Sequence, residues 1–128
     1  MEIIRAKDIP KQQLTTFLGN HPHIDKELII HEGYVVKLNT QIVGCFVLQQ
    51  LQGGICWLRQ LFVIKKIAKQ LPILIEWITI YAKESGYVKV IVKSHNENTN
   101  FLLNALQFYE DKIDGDPHSN WWAYDLNP

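Results

Sequence analysis

The sequence predicts a single α+β domain whose mixed, mostly antiparallel sheet has helices packed on it. The length of 128 residues suits one domain, covering residues 1–128. Three strand-like segments follow one another between short turns, so these strands must be antiparallel. An amphipathic helix predicted over Pro72–Ser85 can then carry the chain back to a parallel strand by a right-handed crossover.

The first thirty residues predict a strand followed by one clear helix. Glu2–Ala6 alternates weakly between apolar and polar side chains, as a strand does. A helix then begins near Asp8, a candidate N-cap, and ends at Gly19-Asn20. Its apolar stripe consists of Leu14, Phe17 and Leu18. His21–Ile30 predicts a loop that carries a short helix around Asp25–Ile29.

The middle of the chain predicts a meander of three strands. Tyr34–Leu38 and Ile42–Gln50 are separated by the tight turn Asn39-Thr40. The centre of the second strand has no polar side chain, which indicates burial on both faces of the sheet. Gly53-Gly54 is a strong hairpin signal and leads into the third strand, Ile55–Val63.

The second half of the chain predicts two helices and two or three strands. Ile64–Leu71 is a short basic connection to the helix Pro72–Ser85, whose apolar face repeats at helical spacing. We expect its core to include Trp77, and we also expect Trp57 to be a core residue. After Gly86 the sequence predicts a strand over Tyr87–Lys93 and a helix over Thr99–Phe108. The apolar residues of this helix are Phe101, Leu102, Ala105 and Leu106. A short strand near Phe108–Ile113 and a final strand over Trp121–Leu126 complete the prediction.

Composition and charge exclude several classes of protein. Hydrophobic residues make up 47% of the chain and charged residues 20%, the balance of a globular protein. The formal net charge is zero, which argues against a nucleic-acid binder. The longest apolar run, Ile42–Leu48, has the length of a strand and not of a membrane helix. The N-terminus does not have the pattern of a signal peptide, so the expected location is cytoplasmic.

The cysteines and histidines do not predict a disulfide or a metal site. A hairpin turning at Gly53-Gly54 would place Cys45 opposite Phe62 and not opposite Cys56, so both cysteines are expected to be buried thiols. The histidines of His21-Pro-His23 do not have the spacing of a recognised ligand set.

The order of these elements resembles that of the GCN5-related N-acetyltransferase (GNAT) superfamily over nearly the whole chain. The matching stretch runs from Leu61-Phe62-Val63 through Ile64–Leu71 into the helix Pro72–Gly86, followed by Val88–Ser94, Asn96 and Leu102–Phe108. The resemblance implies the element order β-α-α-β-β-β-α-β-α-β, with helices on both faces of the sheet.

The resemblance also implies a cofactor, acetyl-CoA, and a place for it. In this family the pantetheine arm bonds backbone groups of the third meander strand, and the pyrophosphate lies at the start of the following helix, where free amides and the helix dipole favour an anion. The implied cofactor-binding residues are Leu61, Phe62, Val63, Lys65, Lys66, Lys69, Gln70 and Asn96. The alternative interpretation of the lysines is a solvated loop.

The sequence departs from the family pattern at the positions that should do the chemistry. The phosphate loop has no glycine, and Gln70 and Pro72 stand where the family has glycines. Leu103 occupies the position of the tyrosine that protonates the departing thiolate, and Tyr109 lies beyond it. Ile55–Val63 contains no acid that could serve as general base. The remaining candidates for that role are Glu32, His31 and His95.

Two functions are therefore compatible with the sequence. The first is an N-acetyltransferase that transfers an acyl group from acetyl-CoA to an unidentified amine of a small molecule or peptide. The second is a catalytically degenerate GNAT-fold protein that binds a protein partner and has no acyltransferase activity. A homodimer is compatible with either, although no residue predicts one.

For Trp121-Trp122 we expect one indole in the core and its neighbour pointing outward at a sheet edge, where an exposed ring could also mark a ligand or dimer surface.

Overall fold

The computed structural model describes residues 1–127 and within them contains seven strands and four helices. The strands are β1 (Glu2–Arg5), β2 (Gly33–Leu38), β3 (Gln41–Gln50), β4 (Ile55–Val63), β5 (Lys89–Ser94), β6 (Tyr109–Asp111) and β7 (Asn120–Asp125). The helices are α1 (Lys11–Gly19), α2 (Lys26–Glu32), α3 (Leu71–Glu84) and α4 (Glu97–Ala105). Hydrogen-bonded neighbours follow the order β1-β2-β3-β4-β5-β7-β6. The predicted α+β class and the mixed sheet are confirmed.

The described residues divide into two compact units. The first unit contains residues 1–48 and 59–69, and the second contains residues 49–58 together with the chain from Gln70 onward. The boundary falls inside β4, between Leu58 and Arg59. The prediction of one domain over the whole chain stays a prediction.

The first unit is built on an antiparallel ladder from β1 to β3. β1 pairs with β2, and β2 pairs with β3 with a shift of register between Val36 and Lys37. The helix α1 packs its predicted stripe onto this sheet. The core of the unit joins the helices to β2 and β3 and consists of Ala6, Ile9, Leu14, Phe17, Leu18, Ile24, Ile29, Val35, Ile42, Cys45 and Val47.

The helix α2 is longer than the sequence indicated. Its N-cap is Asp25, whose carboxylate accepts a hydrogen bond from the Leu28 amide at 3.1 Å. It continues to Glu32, and Gly33 follows so closely that a Cβ there would lie 2.5 Å from the Ile29 carbonyl oxygen. Because the helix extends past Ile29, Glu32 lies in its last turn and not in a loop before β2.

The second unit contains the parallel step that the sequence predicts. Ile55–Leu58 of β4 pairs with Lys89–Val92 of β5 in parallel register. β5 pairs antiparallel with β7, and β7 pairs antiparallel with β6. The short strand expected near residues 108–113 is therefore confirmed as β6.

Two predictions about tryptophans are wrong. Trp121 and Trp122 are both buried, at 5% and 6% exposure, and their strand β7 is not a sheet edge, because it pairs with β5 on one side and with β6 on the other. Trp121 packs edge-on against Trp57 with ring centroids 5.2 Å apart, and Trp57 packs against the core as expected. Trp77, expected in the core, is 42% exposed, because the buried side of α3 is formed by Leu74, Ile75, Ile78, Thr79 and Ala82.

The helix α4 also turns a different face inward from the one predicted. It begins at Glu97 because the Asn96 side chain caps it, accepting a hydrogen bond from the Thr99 amide at 2.8 Å. Leu103 is its buried residue, whereas Phe101 is 73% exposed. The predicted apolar face around Phe101 is therefore not the packed face.

The two cysteines are free thiols, and both are buried. Burial raises the pKa of Cys45 and of Cys56 to about 12, because a thiolate loses its hydration in an apolar interior. Cys45 Sγ lies 3.9 Å from the carbonyl oxygen of Gln60 within the first unit. No helix within residues 1–127 is both long enough and apolar enough to cross a membrane.

Replacing Gly44 by alanine should destabilise the fold. The added Cβ would lie 2.6 Å from the Phe62 carbonyl oxygen, which is backbone and cannot rotate away. We expect a loss of about 1–3 kcal/mol in the free energy of unfolding, measured by urea denaturation. The control is Gly19→Ala, where nothing lies within 4 Å and no loss is expected. Equal stability of the two variants would contradict the close approach at Gly44.

Stability should fall in alkaline solution because of the two thiols. Their pKa in the folded chain, about 12, lies above the ordinary value of 9.0, so the contribution is full below pH 9. As the pH rises above 9, the unfolded chain loses the thiol protons first, and the contribution disappears as the pH approaches the folded pKa. Thermal melting across this range measures the loss, which should be smaller in a Cys45→Ala/Cys56→Ala variant. An equal alkaline loss in the variant would exclude the thiols as its cause.

Candidate functional site

The predicted cofactor-binding lysines lie on a short 3₁₀ turn, Lys65–Gln70, that follows β4. Lys65, Lys66 and Lys69 are exposed, whereas Ile67 between them is 2% exposed and anchors the turn. The Ile67 amide donates to the Ile64 carbonyl at 3.1 Å. Within residues 1–127 none of the three lysines forms an ion pair, so their charges are free to attract an anion.

The strand that leads into this turn is distorted at Gln60. Its φ of 54° is in the left-handed region, which is uncommon for a residue other than glycine. The Gln60 side chain accepts a hydrogen bond from the Asp25 amide at 3.2 Å, which ties β4 to the start of α2. Such a residue cannot continue a regular ladder, and strained backbone of this kind clusters at functional sites. The sequence does not signal it, because glutamine has no preference for this conformation.

Leu61, Phe62 and Val63 follow the distortion directly and are half-buried. The Phe62 carbonyl lies against Gly44, where only a glycine leaves room for it. After Val63 the chain is fixed again, because the Ile64 amide donates to the Val43 carbonyl at 2.9 Å. These three residues therefore form a short backbone segment held at both ends.

Two histidines that the sequence did not single out as acid–base groups lie against Phe62. The centroid of the Phe62 ring is 4.6 Å from that of His21 and 4.9 Å from that of His23. Phe17 of α1 supports His21 at 4.8 Å. His21 is half-buried and His23 is exposed. This contact depends on β4 meeting the loop between α1 and α2, which residue spacing along the chain cannot indicate.

The histidines are not part of a metal site among the described residues. No group of three His, Cys, Asp or Glu side chains within residues 1–127 could hold a metal ion.

The predicted base candidates on α2 face solvent. His31 and Glu32 are both exposed. His31 Nε2 lies 3.2 Å from the carboxylate of Glu27, one turn earlier on the same helix. This pair holds the imidazole on the surface of α2.

In the second unit, His95 and Asn96 line a polar cavity of about 380 Å³ at the end of β5. His118 and Asn120 form part of its wall, and the Asn120 side chain donates to Asn100 at 3.2 Å. The Oδ1 atom of Asn96 is already engaged in capping α4, and its carbonyl accepts from the Ser94 hydroxyl at 3.0 Å. The structure thus brings His95 and Asn96 together with a second histidine, His118.

The lysine beside this cavity, Lys93, is paired with an aspartate. Lys93 Nζ lies 3.1 Å from an Asp116 carboxylate oxygen. Hydrogen bonds from Ser119 and then Lys93 lower the pKa of Asp116, so it stays ionised at neutral pH. Asp116 is therefore a partner of Lys93 and not a proton acceptor.

The structure places Leu103, the residue where the resemblance implies a proton-donating tyrosine, on the buried side of α4. Leu103 at that position is 1% exposed and carries no proton to donate. Tyr109 lies on β6, and its hydroxyl donates to Asp125 at 2.9 Å. Burial and then this hydrogen bond raise the pKa of Tyr109. The last residue of the predicted set, Gln70, is exposed at the N-cap of α3 and makes no capping bond.

Comparison with known proteins identifies the fold. A scan against protein-family models finds no match, and neither does a search of the curated proteins. Among solved structures, an acetyltransferase of the GNAT family from Staphylococcus aureus Mu50 matches with a TM-score of 0.70 and 18% identity, over 98% of this chain and 99% of that one.

Two aminoglycoside acetyltransferases are similar over the full length of the chain. The aminoglycoside 6'-N-acetyltransferase from Enterococcus faecium has a TM-score of 0.74 and 12% identity, covering 100% of this chain and 98% of its own. An aminoglycoside 6'-N-acetyltransferase complexed with coenzyme A has a TM-score of 0.70 and 15% identity, with coverages of 100% and 98%. At such identities the likeness establishes the fold alone. The resemblance seen in the element order is confirmed in that sense: the chain has the GNAT fold.

Proposed function

We propose that this GNAT-fold chain is an acyl-CoA-dependent N-acyltransferase that binds acetyl-CoA and transfers its acyl group to an amine. The proposal depends on three features that follow one another along the chain in the first unit. A strand distorted at Gln60 presents Leu61–Val63, and a turn with three unpaired lysines follows directly. One of the similar structures, an aminoglycoside acetyltransferase, is complexed with coenzyme A.

The lysine turn supports binding of the pyrophosphate. A glycine-rich loop would hold phosphates through its amides, but this turn has no glycine, and Pro72 removes one amide near the start of α3. Lys65, Lys66 and Lys69 supply charge in place of those amides. Ile67 supports this role, because its burial fixes the turn while the lysines around it stay exposed.

The segment Leu61–Val63 is proposed to receive the thioester. Its amides would donate to the thioester oxygen as negative charge develops there, which is the usual electrostatic contribution in acyl transfer. The amine nitrogen attacks the carbonyl carbon, the C–S bond breaks, and the electron pair leaves with the CoA sulfur. The incoming ammonium gives one proton to the base before it attacks, and its nitrogen releases a second proton to solvent as the amide forms. The thiolate takes one proton from solvent, because Leu103 cannot supply it.

His23 is our first candidate for the general base. It touches Phe62 in the proposed thioester-binding segment and is exposed, so an incoming ammonium could reach it. The charged residue nearest to His23 in the sequence is Asp25, two positions later. The backbone amide of Asp25 donates a hydrogen bond to the Gln60 side chain. His31 and Glu32 have no contact of this kind, since His31 is paired with Glu27 on α2. His95 remains a second candidate, in the polar cavity of the second unit.

A catalytically degenerate GNAT-fold binding protein is the alternative function. The observation that favours it is Leu103, which is buried at 1% exposure and replaces the family's acid with a packed apolar side chain. Under this alternative the chain keeps the fold and binds a partner without acyl transfer.

Removing the three lysine charges should weaken acetyl-CoA binding. Lys65→Ala/Lys66→Ala/Lys69→Ala removes the cations proposed to hold the pyrophosphate, and we expect a loss of affinity of about 30-fold or more, on the order of 2 kcal/mol. Isothermal titration with acetyl-CoA, and with CoA for comparison, measures it. The matched control replaces Lys7, Lys11 and Lys26, which are also exposed and lie in the first unit.

The titration separates three results. Micromolar binding lost only in the first triple variant supports the proposed site. Equal loss in both variants would assign the effect to net charge. Absence of binding by the unmodified chain at millimolar acetyl-CoA would overturn the proposed function.

Replacing His23 by glutamine should slow acyl transfer without weakening cofactor binding. General base catalysis contributes about 10²–10⁴-fold, so kcat/KM should fall by that order against any amine found active in a screen for released CoA thiol. Cofactor affinity, measured by isothermal titration, should stay the same. His31→Gln is the control and should leave both kcat/KM and cofactor affinity unchanged. A His23→Gln variant with full activity would exclude His23, and the same measurement on His95→Gln would then test the second candidate.

A further inference from the structure

The outer face of α3 carries an apolar stripe that the proposed acyl transfer does not use. The side chains of Ile73, Trp77 and Ile80 are 51%, 42% and 55% exposed. Their spacing of four and then three residues places them on one side of the helix, opposite the packed side. We call these three residues the α3 stripe. Exposed apolar residues scattered singly are ordinary, whereas a contiguous stripe marks an interaction surface.

The spacing of the α3 stripe is that of a seam between two helices. Apolar residues separated alternately by four and three positions are what one helix presents to another in a coiled coil. A partner with the same pattern is a second copy of this chain, since isologous pairing brings identical surfaces together.

The charges beside the α3 stripe select the direction of pairing. Glu76 and Lys83 are both exposed and lie seven residues apart, so they share one flank of the stripe. When two such helices pack antiparallel, this flank faces the same flank of the other copy. Glu76 of one copy then faces Lys83 of the other, and the two-fold axis repeats the pair. In a parallel arrangement Glu76 would face Tyr81 of the second copy, and no opposite charge would meet it.

The apolar and charged pairs are compatible with one antiparallel register. If Trp77 packs against Ile80 of the second copy, the two-fold axis passes the helix midway between these residues, at position 78.5. If Glu76 pairs with Lys83 of the second copy, the two-fold axis passes the helix at position 79.5, midway between 76 and 83. The two centres differ by one residue, which is within the reach of flexible glutamate and lysine side chains.

A groove beside the α3 stripe gives the indole a place to pack. Ile80 and Glu76 line a cavity of about 370 Å³ whose far side is formed by Leu106, Gln107 and Phe108. In the antiparallel register Trp77 of the second copy lies next to Ile80, at the mouth of this groove. Aromatic anchors that fill a pocket contribute much of the binding energy at protein interfaces.

We propose that the chain forms a homodimer by antiparallel packing of the α3 stripes of two copies, with Trp77 of each at the groove of the other. One helix of 14 residues buries less than a standard interface. The dimer should therefore be weak and reversible, with a dissociation constant on the order of 10 µM.

Sedimentation velocity over a range of protein concentrations tests the proposal. The unmodified chain should shift from monomer to dimer as the concentration rises through the micromolar range. Trp77→Ser should sediment as a monomer throughout. Ile30→Ser, which removes a 37% exposed apolar side chain from α2, is the matched control and should dimerise like the unmodified chain. A chain that is monomeric at the highest concentration, or a dimer that survives Trp77→Ser, would overturn the proposal.

A charge exchange tests the register of the two helices without removing an apolar side chain of the α3 stripe. Glu76→Lys places two lysines on the flank, and Lys83→Glu places two glutamates there, so each variant alone should dimerise at least about tenfold more weakly. Mixing the two variants should restore association, because the lysines of one copy then face the glutamates of the other. Circular dichroism checks that both are folded. If the mixture associates no better than either variant alone, the antiparallel register is wrong.

Discussion

The close approach of β3 and β4 around Gly44 is the constraint on which the candidate site depends. The Phe62 carbonyl occupies the space that a side chain would fill at Gly44. Gln60, two residues earlier, can leave the extended conformation because its side chain is held by the Asp25 amide. The chain rejoins β3 through the bond from Ile64 to Val43. Backbone strain at Gln60 is therefore offset by contacts on both sides of it, as strained functional segments require.

The parts of the fold that the sequence predicted are those with a short-range signal. The Gly53-Gly54 turn, the bounds of β4 and the packed face of α3 follow from glycine chemistry and from periodicity within one element. The errors arose where burial depends on other elements. Trp121 and Trp122 are buried on a strand that β6 separates from the sheet edge, and Trp77 is exposed although its neighbours Leu74 and Ile78 are packed.

The candidate site was predictable only in part for the same reason. The lysines were proposed because they follow β4 in sequence, and the structure presents them on a turn anchored by Ile67, while their role stays a prediction. The conformation of Gln60 could not be predicted, since glutamine has no preference for the left-handed region and its hydrogen bond to the Asp25 amide joins residues far apart in the chain. His21 and His23 were considered only as metal ligands. Their contact with Phe62 joins residues about forty positions apart in the chain, a separation over which no periodicity operates.

Under the proposed function, a leucine at position 103, where the resemblance implies an acid, has a consequence for the chemistry. A thiolate is a stable leaving group near neutral pH, so the loss of a proton donor on α4 costs little in the step that breaks the C–S bond. The amine cannot attack while it is protonated, however. Removal of its proton is therefore the step that needs a catalytic group. Within the first unit, the exposed imidazole of His23 beside Phe62 is the group proposed to take that proton. Under the proposed function, deprotonation of the acceptor, and not protonation of CoA, is the step to which the side chains contribute.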